Sequence, residues 1–153
     1  MGIRKVKQQV YELLLLDDEK KAVEELLKIS PAKSINPLFS FIQNSDEAIK
    51  WRAIRGMGQV VAQMASNNLE SARVVMRRLM WSLNDESGGI GWGAPEAMGE
   101  IMAQDKRLYD EYYKILLSYL DEDGNFLEYE PLRKGAIWAV ERLSSPVLLF
   151  SSS

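Results

Sequence analysis

The chain has 153 residues, of which 46% are hydrophobic and 27% charged, and this composition is typical of a single folded domain. It contains no cysteine and no histidine, which excludes disulfides, thiolate metal sites, histidine-based zinc sites and Ser-His-Asp triads. No apolar run approaches the roughly 18 residues of a membrane span, and the first residues lack a signal-peptide cleavage site. We therefore expect a cytoplasmic protein with no metal, no cofactor and no membrane partner, and we expect that it is not an enzyme.

The net charge of −3 conceals a segregation of charge along the chain. Residues 46–84 carry six basic and three acidic residues, whereas residues 85–130 carry twelve acidic and three basic residues. Because the basic residues are concentrated in one stretch, this pattern favours a protein partner of mixed charge over nucleic acid. We expect no nucleic-acid binding.

Most segments show apolar residues at spacings of three and four, which predicts amphipathic helices, and no segment alternates as a strand would. We expect Pro31 to fall in a helix-breaking stretch and Pro37 to open a short helix. Asn67 or Asn68 is expected to cap a later helix. In chain order, the predicted helices cover residues 3–15, 18–29, 37–43, 46–64, 67–83, 94–103, 106–120 and 131–143.

The sequence is similar to itself when it is displaced by about 40 residues. A displacement of 41 residues aligns Trp51 with Trp92, Ala53 with Ala94, Met57 with Met98, Gly58 with Gly99 and Ala62 with Ala103. A further displacement of 42 residues aligns Gly93 with Gly135, Ala94 with Ala136 and Ala97 with Ala139. Small residues at matching helical positions allow neighbouring helices to approach closely. The pattern predicts an all-α fold in which antiparallel helix pairs stack into an α-solenoid.

The acidic start of each unit, the Arg or Trp near its first helix and the Ala-x-x-x-Met-Gly core of residues 94–99 resemble HEAT-like repeats of the phycobilisome-lyase type. The resemblance covers about 17–145 and extends to small bacterial proteins of unknown role. It implies a superhelix whose second helices line the concave face. We expect one domain with a capping helix over 1–16 and repeats over 17–45, 46–84, 85–121 and 122–153, the last incomplete.

The apolar residues 147–150 near the end of the chain lead to a related expectation. A solenoid end without a polar cap exposes apolar surface that faces the core in other repeats. We expect this end to be covered, either by the tail folding back or by self-association of the protein.

Four glycines stand close together before the helix at residues 94–103: Gly88, Gly89, Gly91 and Gly93. A phosphate-binding glycine loop requires a preceding strand, and here a helix ending near Leu83 precedes it. No Lys-Ser/Thr pair follows the glycines. We interpret the stretch as a hinge between repeats, with Pro95 in the first turn of the next helix.

Candidate partner-binding residues lie on the predicted second helices. Arg73, Arg77 and Trp81 share one helix face, and Arg with Trp is the residue mix of binding hot spots. The equally favoured alternative is that the arginines pair with acids of the next repeat. Tyr109 and Tyr113 lie one turn apart beside acidic residues, an edge that suits a basic segment if it is exposed.

Three further candidates lie around the glycine loop. Trp92 aligns with Trp51, which favours a packing role; the alternative is an aromatic anchor for a partner. Glu96 and Glu100 share a helix face, and the favoured interpretation is a solvated surface. The alternatives are that the two carboxylates bind a basic partner or that they act as a catalytic acid and base.

Together these features favour a non-catalytic protein–protein interaction scaffold that binds a partner on the grooved face of a short helical solenoid. The alternative function is an enzyme accessory or lyase-like protein that acts on a bound chromophore or small molecule. That alternative is implied by the family resemblance and not by any catalytic motif.

Overall fold

The computed structural model describes residues 2–144 of the chain, and within this range the protein is all-helical, with no strand. The eight α-helices of the described residues are α1 (Ile3–Leu14), α2 (Glu19–Leu26), α3 (Pro31–Phe41), α4 (Glu47–Asn67), α5 (Leu69–Ser82), α6 (Ala94–Gln104), α7 (Lys106–Ser118) and α8 (Glu130–Leu143). The expected cover by residues 147–150 and the end of the last predicted repeat lie outside the described residues. None of the helices in residues 2–144 is both long and apolar enough to cross a bilayer.

Side-chain caps begin four of the helices. Asp18 accepts a hydrogen bond from the backbone of Lys21 at α2, and Asp46 accepts one from Ala48 at α4. Asn68, one of the two expected caps, and Asp105 do the same for α5 and α7. Each cap satisfies a backbone N–H that has no partner inside the helix. Asn68 and Asp105 alone separate α4 from α5 and α6 from α7, so these pairs turn sharply.

The expected helix start at Pro37 is wrong. Helix α3 begins at Pro31, in the first turn where the missing N–H is not needed, and it continues through Pro37. An interior proline removes one helical hydrogen bond. Burial of Leu38 and Phe41 against the neighbouring helices α1 and α4 outweighs that loss.

Helix α6 lies at the centre of the arrangement. It packs against α4 on one side and α8 on the other, and it also contacts α5 and α7. Helices α1, α2 and α3 pack together and contact α4. Met57 of α4 and Met98 of α6, which the 41-residue displacement aligned, are both fully buried.

Glycines allow α6 to approach its neighbours closely. A Cβ atom at Gly99 would lie 2.6 Å from the Cβ atom of Ala139 on α8. A Cβ atom at Gly58 of α4 would lie 3.1 Å from the Cβ atom of Glu100. Gly99 and Gly58, which the 41-residue displacement aligns, therefore lie at the contacts of α6 with α8 and of α4 with α6.

The loop before α6 also depends on glycine. Gly93 has a φ of 81°, and a Cβ atom there would lie 2.2 Å from the carbonyl oxygen of Ile42 at the end of α3. Positive φ and this close backbone approach both require glycine. Pro95 lies in the first turn of α6, as expected.

We predict that Gly99→Ala lowers the free energy of unfolding by about 1 to 3 kcal/mol, because the added methyl group overpacks the contact with Ala139. Alanine has the higher helix propensity by roughly 1 kcal/mol, so propensity alone would give the opposite sign. Urea unfolding followed by circular dichroism measures the difference. Gly89→Ala is the control, because a Cβ atom there would come no closer than 3.8 Å to any atom. A stabilised Gly99→Ala protein would contradict the prediction.

Candidate functional site

Glu96 and Glu100 do not lie on a solvated surface, so the favoured interpretation of this pair is wrong. Their exposed fractions are 7% and 5%. They are buried because α6 lies between α4 and α8, whose side chains cover both carboxylates. A charged side chain is rarely buried unless it is paired.

Each carboxylate is paired with a cation from a different neighbouring helix. The Oε2 atom of Glu96 lies 3.6 Å from Nζ of Lys50 on α4, and Oε1 of Glu100 lies 2.9 Å from Nε of Arg142 on α8. Gly135 of α8 leaves room for the Glu96 carboxylate, since a Cβ atom there would lie 2.5 Å from its Oε1 atom. We call Lys50, Glu96, Glu100 and Arg142 the α6 ion-pair layer.

Aromatic side chains lie beside this layer. The rings of Trp51 on α4 and Trp138 on α8 have centroids 4.6 Å apart, so they connect two helices that flank α6. Nζ of Lys50 lies 5.6 Å from the ring centroid of Trp51. Nε1 of Trp51 donates a hydrogen bond of 3.1 Å to Glu47. Trp51 therefore lies next to Lys50, the partner of Glu96.

Ion pairs continue from α4 to α2. Glu19 accepts hydrogen bonds from Arg55, with Nε 2.7 Å from Oε2, and lies 3.0 Å from Nε of Arg52. The hydrogen bond from Arg55, followed by the charges of both arginines, lowers the pKa of Glu19, although burial acts in the opposite direction. The charge of the Glu19 carboxylate is thus compensated within the chain. Within residues 2–144, no cluster of three or more carboxylates is placed to hold a metal ion.

A groove of about 1060 Å³ lies where α5 and α7 end and α8 begins. Its walls include the segment between α7 and α8. The side chains that line it include Arg77, Trp81, Tyr119, Glu122, Glu128 and Tyr129. We call this surface the α5–α7 groove.

Two aromatic rings at the α5–α7 groove are half exposed: Trp81 by 52% and Tyr129 by 51%. The Tyr119 ring is buried, and burial raises the pKa of its hydroxyl to about 12. Large aromatic surfaces that remain exposed beside a concave surface are typical of binding sites.

The segment that forms one wall of the groove is held in place by hydrogen bonds. The backbone N–H of Leu127 donates to the carbonyl oxygen of Tyr119 at 3.0 Å. Nη1 of Arg133 donates to the carbonyl oxygens of Leu127 and Glu128 at 2.9 and 3.1 Å. The Arg133 guanidinium also lies 5.1 Å from the ring centroid of Phe126. The wall is therefore tied to α7 and α8 at both ends.

The predicted residues on α5 have different surroundings. Arg73 pairs with Glu111 of α7, with Nε 2.9 Å from Oε2, so the alternative that this arginine pairs with an acidic residue further along the chain is confirmed. That hydrogen bond lowers the pKa of Glu111. Arg77 pairs with Glu70 of its own helix at 2.7 Å. Arg77 and Trp81 line the groove, whereas Arg73 does not belong to its lining.

The predicted packing role of Trp92 is wrong. Its side chain is 42% exposed, because the backbone of the adjacent Gly93 packs on α3 and leaves the ring outside the core. Tyr109 and Tyr113 stack on each other with centroids 4.6 Å apart and are half buried against the core. None of these three side chains lines the α5–α7 groove.

The sequence analysis missed several residues of both sites. Trp138 and Arg142 align with Glu96 and Glu100 under the 42-residue displacement, which could have indicated that they share a face. In the groove, Phe126 and Tyr129 are the aromatic residues of the acidic segment between the predicted helices 106–120 and 131–143. Their presence there was the available signal.

No family model and no solved structure matches the chain. Over 97 residues it is 30% identical to a protein of Archaeoglobus fulgidus that is described as uncharacterized, a match that covers 63% of this chain. The match covers 48% of that protein, so the chain spans about half the length of the curated relative it matches.

We predict that Arg142→Met lowers the free energy of unfolding by about 3 kcal/mol, because the change leaves the buried Glu100 carboxylate without its cation. Methionine keeps most of the aliphatic packing, so the loss of stability measures the effect of removing the positive charge. Chemical denaturation measures it. The matched control is Lys134→Met in the exposed pair with Glu130, where the cost should stay below about 0.5 kcal/mol. Equal losses in the two variants would count against the prediction.

The lowered pKa of Glu19 predicts a pH-dependent contribution to stability. A carboxyl with a lowered pKa stabilises the folded state above its ordinary pKa of 4.5, and the contribution is lost as the pH falls through the folded-state value. Glu19→Gln should therefore lower the melting temperature clearly at about pH 7 and far less at about pH 3. Calorimetry at the two pH values checks this. A variant with the same deficit at both would refute it.

Proposed function

We propose that the protein is a non-catalytic interaction scaffold that binds a segment of another protein in the α5–α7 groove. The observation that carries this proposal is the exposure of Trp81 and Tyr129 at the groove. The apolar surface of two large rings is hydrated unfavourably when it is exposed to water. A partner that covers these rings removes this surface from water, and the transfer free energy then favours binding. Such rings beside a concave surface act as anchors in interfaces.

The size of the groove supports a protein segment as its occupant. A volume of about 1060 Å³ accommodates several amino-acid side chains. It lies just above the range of about 300 to 1,000 Å³ that is typical of small-molecule pockets. The hydrogen bonds of Leu127 and Arg133 hold one wall in place before a partner arrives, which reduces the entropy lost on binding.

We further propose that the fold is a short HEAT-like α-solenoid, one domain built from the repeats of the sequence analysis. The support is that α4, α6 and α8 contact one another in sequence order through residues that the displacements of 41 and 42 residues align. Short connections between α4 and α5 and between α6 and α7 also suit stacked helix pairs. A cytoplasmic location belongs to the same proposal.

Removing the two exposed rings tests the proposed groove. In a pull-down from native lysate with mass-spectrometric identification, Trp81→Ala and Tyr129→Ala should each weaken capture of a stoichiometric partner by about tenfold or more. Trp92→Ala is the matched control, because Trp92 is similarly exposed but does not line the groove. Circular dichroism establishes that the variants remain folded. A partner that is retained by Trp81→Ala/Tyr129→Ala, or that is lost equally with Trp92→Ala, would overturn the proposal.

A further inference from the structure

We infer that the α5–α7 groove selects a basic segment, in which a lysine or arginine follows or precedes an apolar side chain. This inference rests on the proposed function and adds the chemistry of the partner. It comes from the charges that remain uncompensated around the groove once the ion pairs within the chain are assigned.

The acidic side chains of the groove are free to pair with a partner. Glu122 and Glu128 line it, both are exposed, and neither forms an ion pair with any residue of the described range 2–144. Asp121 and Asp123, next to Glu122, are also exposed and lack an ion pair there. The region therefore presents several carboxylates without a cation.

Three cations at or near the groove are already engaged. Arg77 pairs with Glu70 at 2.7 Å, which offsets its charge. Lys134 pairs with Glu130 at 3.0 Å. Arg133 donates hydrogen bonds to two backbone carbonyl oxygens and lies over the ring of Phe126, and these contacts hold the segment between α7 and α8 in place. The charge left for a partner to neutralise is therefore negative.

The aromatic rings strengthen the preference for cations. Trp81 and Tyr129 are exposed and line the same groove as Glu122 and Glu128. An ammonium or guanidinium group is attracted to the face of such a ring, and nearby carboxylates add a charge-assisted hydrogen bond. The aliphatic part of a lysine or arginine can cover ring surface at the same time. An acidic segment or a nucleic-acid phosphate would instead meet repulsion.

The test uses two synthetic peptides of equal length with the same leucine positions, one with lysine and the other with glutamate at the remaining positions. Each peptide is labelled with fluorescein and titrated with the full chain, and binding is followed by fluorescence anisotropy. We expect the lysine peptide to bind at least about tenfold more tightly than the glutamate peptide. We also expect its affinity to fall when salt is raised from about 50 to 300 mM.

Variants assign this binding to the groove. Glu122→Gln/Glu128→Gln should weaken binding of the lysine peptide by about tenfold. Glu24→Gln/Glu141→Gln removes the same number of charges from exposed positions outside the groove, and it should leave the affinity within about twofold. Equal losses in both variants would indicate attraction to net charge only and would overturn the inference. So would unchanged binding in Glu122→Gln/Glu128→Gln, or no binding of the lysine peptide.

Failure of the inference can be distinguished from failure of the proposed function. If the partner from lysate depends on Trp81 but is captured equally by wild type and Glu122→Lys/Glu128→Lys, the groove binds a protein and the basic chemistry is wrong. If the partner is lost with both the Trp81→Ala and the Glu122→Lys/Glu128→Lys variants, the groove and the basic segment are both supported. If capture of the partner is unaffected by either variant, both proposals are wrong.

Discussion

The close packing of α6 between α4 and α8 is the constraint on which the rest of the described structure depends. Gly99 allows α8 to approach at Ala139, and Gly58 allows α4 to approach at Glu100. A larger residue at either position would force the neighbouring helices apart. The same approach brings Lys50 and Arg142 over a helix face that would otherwise be exposed to solvent. Steric fit and burial of charge are therefore two results of one contact.

The ion pairs add specificity to this packing rather than a large net stabilisation. Burying Glu96 and Glu100 requires their removal from water, which offsets much of the attraction to Lys50 and Arg142. An α6 helix displaced by one turn would bring only one of the two carboxylates to a cation and would leave the other without its partner, so the alternative arrangement is disfavoured. The layer thus sets the position of α6 relative to both neighbours. Because α5 and α7 are joined to α4 and α6 by single residues, their positions follow.

Periodicity and caps predicted most of the helices, because both are local properties of the sequence. The cap of α5 at Asn68 and the position of Pro95 in the first turn of α6 were predictable for that reason. Pro37 was not, because burial of α3 against α1 and α4 overrides a local breaker signal. Glu96 and Glu100 were misassigned because a helical pattern with charges on one face usually indicates solvent. Their burial depends on α8, whose residues are about 40 positions further along the chain.

Trp51 and Trp92 show that residues aligned by internal sequence similarity can differ in solvent exposure. The two residues align under the 41-residue displacement, yet Trp51 contacts Trp138 whereas Trp92 is exposed. Side-chain contacts across α6 differ between the two because the backbone at Gly93 is held by α3. Sequence similarity between repeats therefore predicts helix contacts better than it predicts surfaces.

The distribution of charge that the sequence displays is changed by folding in a way that bears on binding. The ion pairs of Glu96, Glu100, Glu19 and Glu111 compensate acidic residues from several parts of the chain. The acidic residues at 121–123 and Glu128 stay outside these pairs, in a segment that backbone hydrogen bonds hold beside Trp81. A surface that combines free carboxylates with exposed rings arises there because Arg77, Arg133 and Lys134 are engaged by other groups of the chain. The excess of negative charge at the α5–α7 groove is thus a consequence of which ion pairs form elsewhere in the helices.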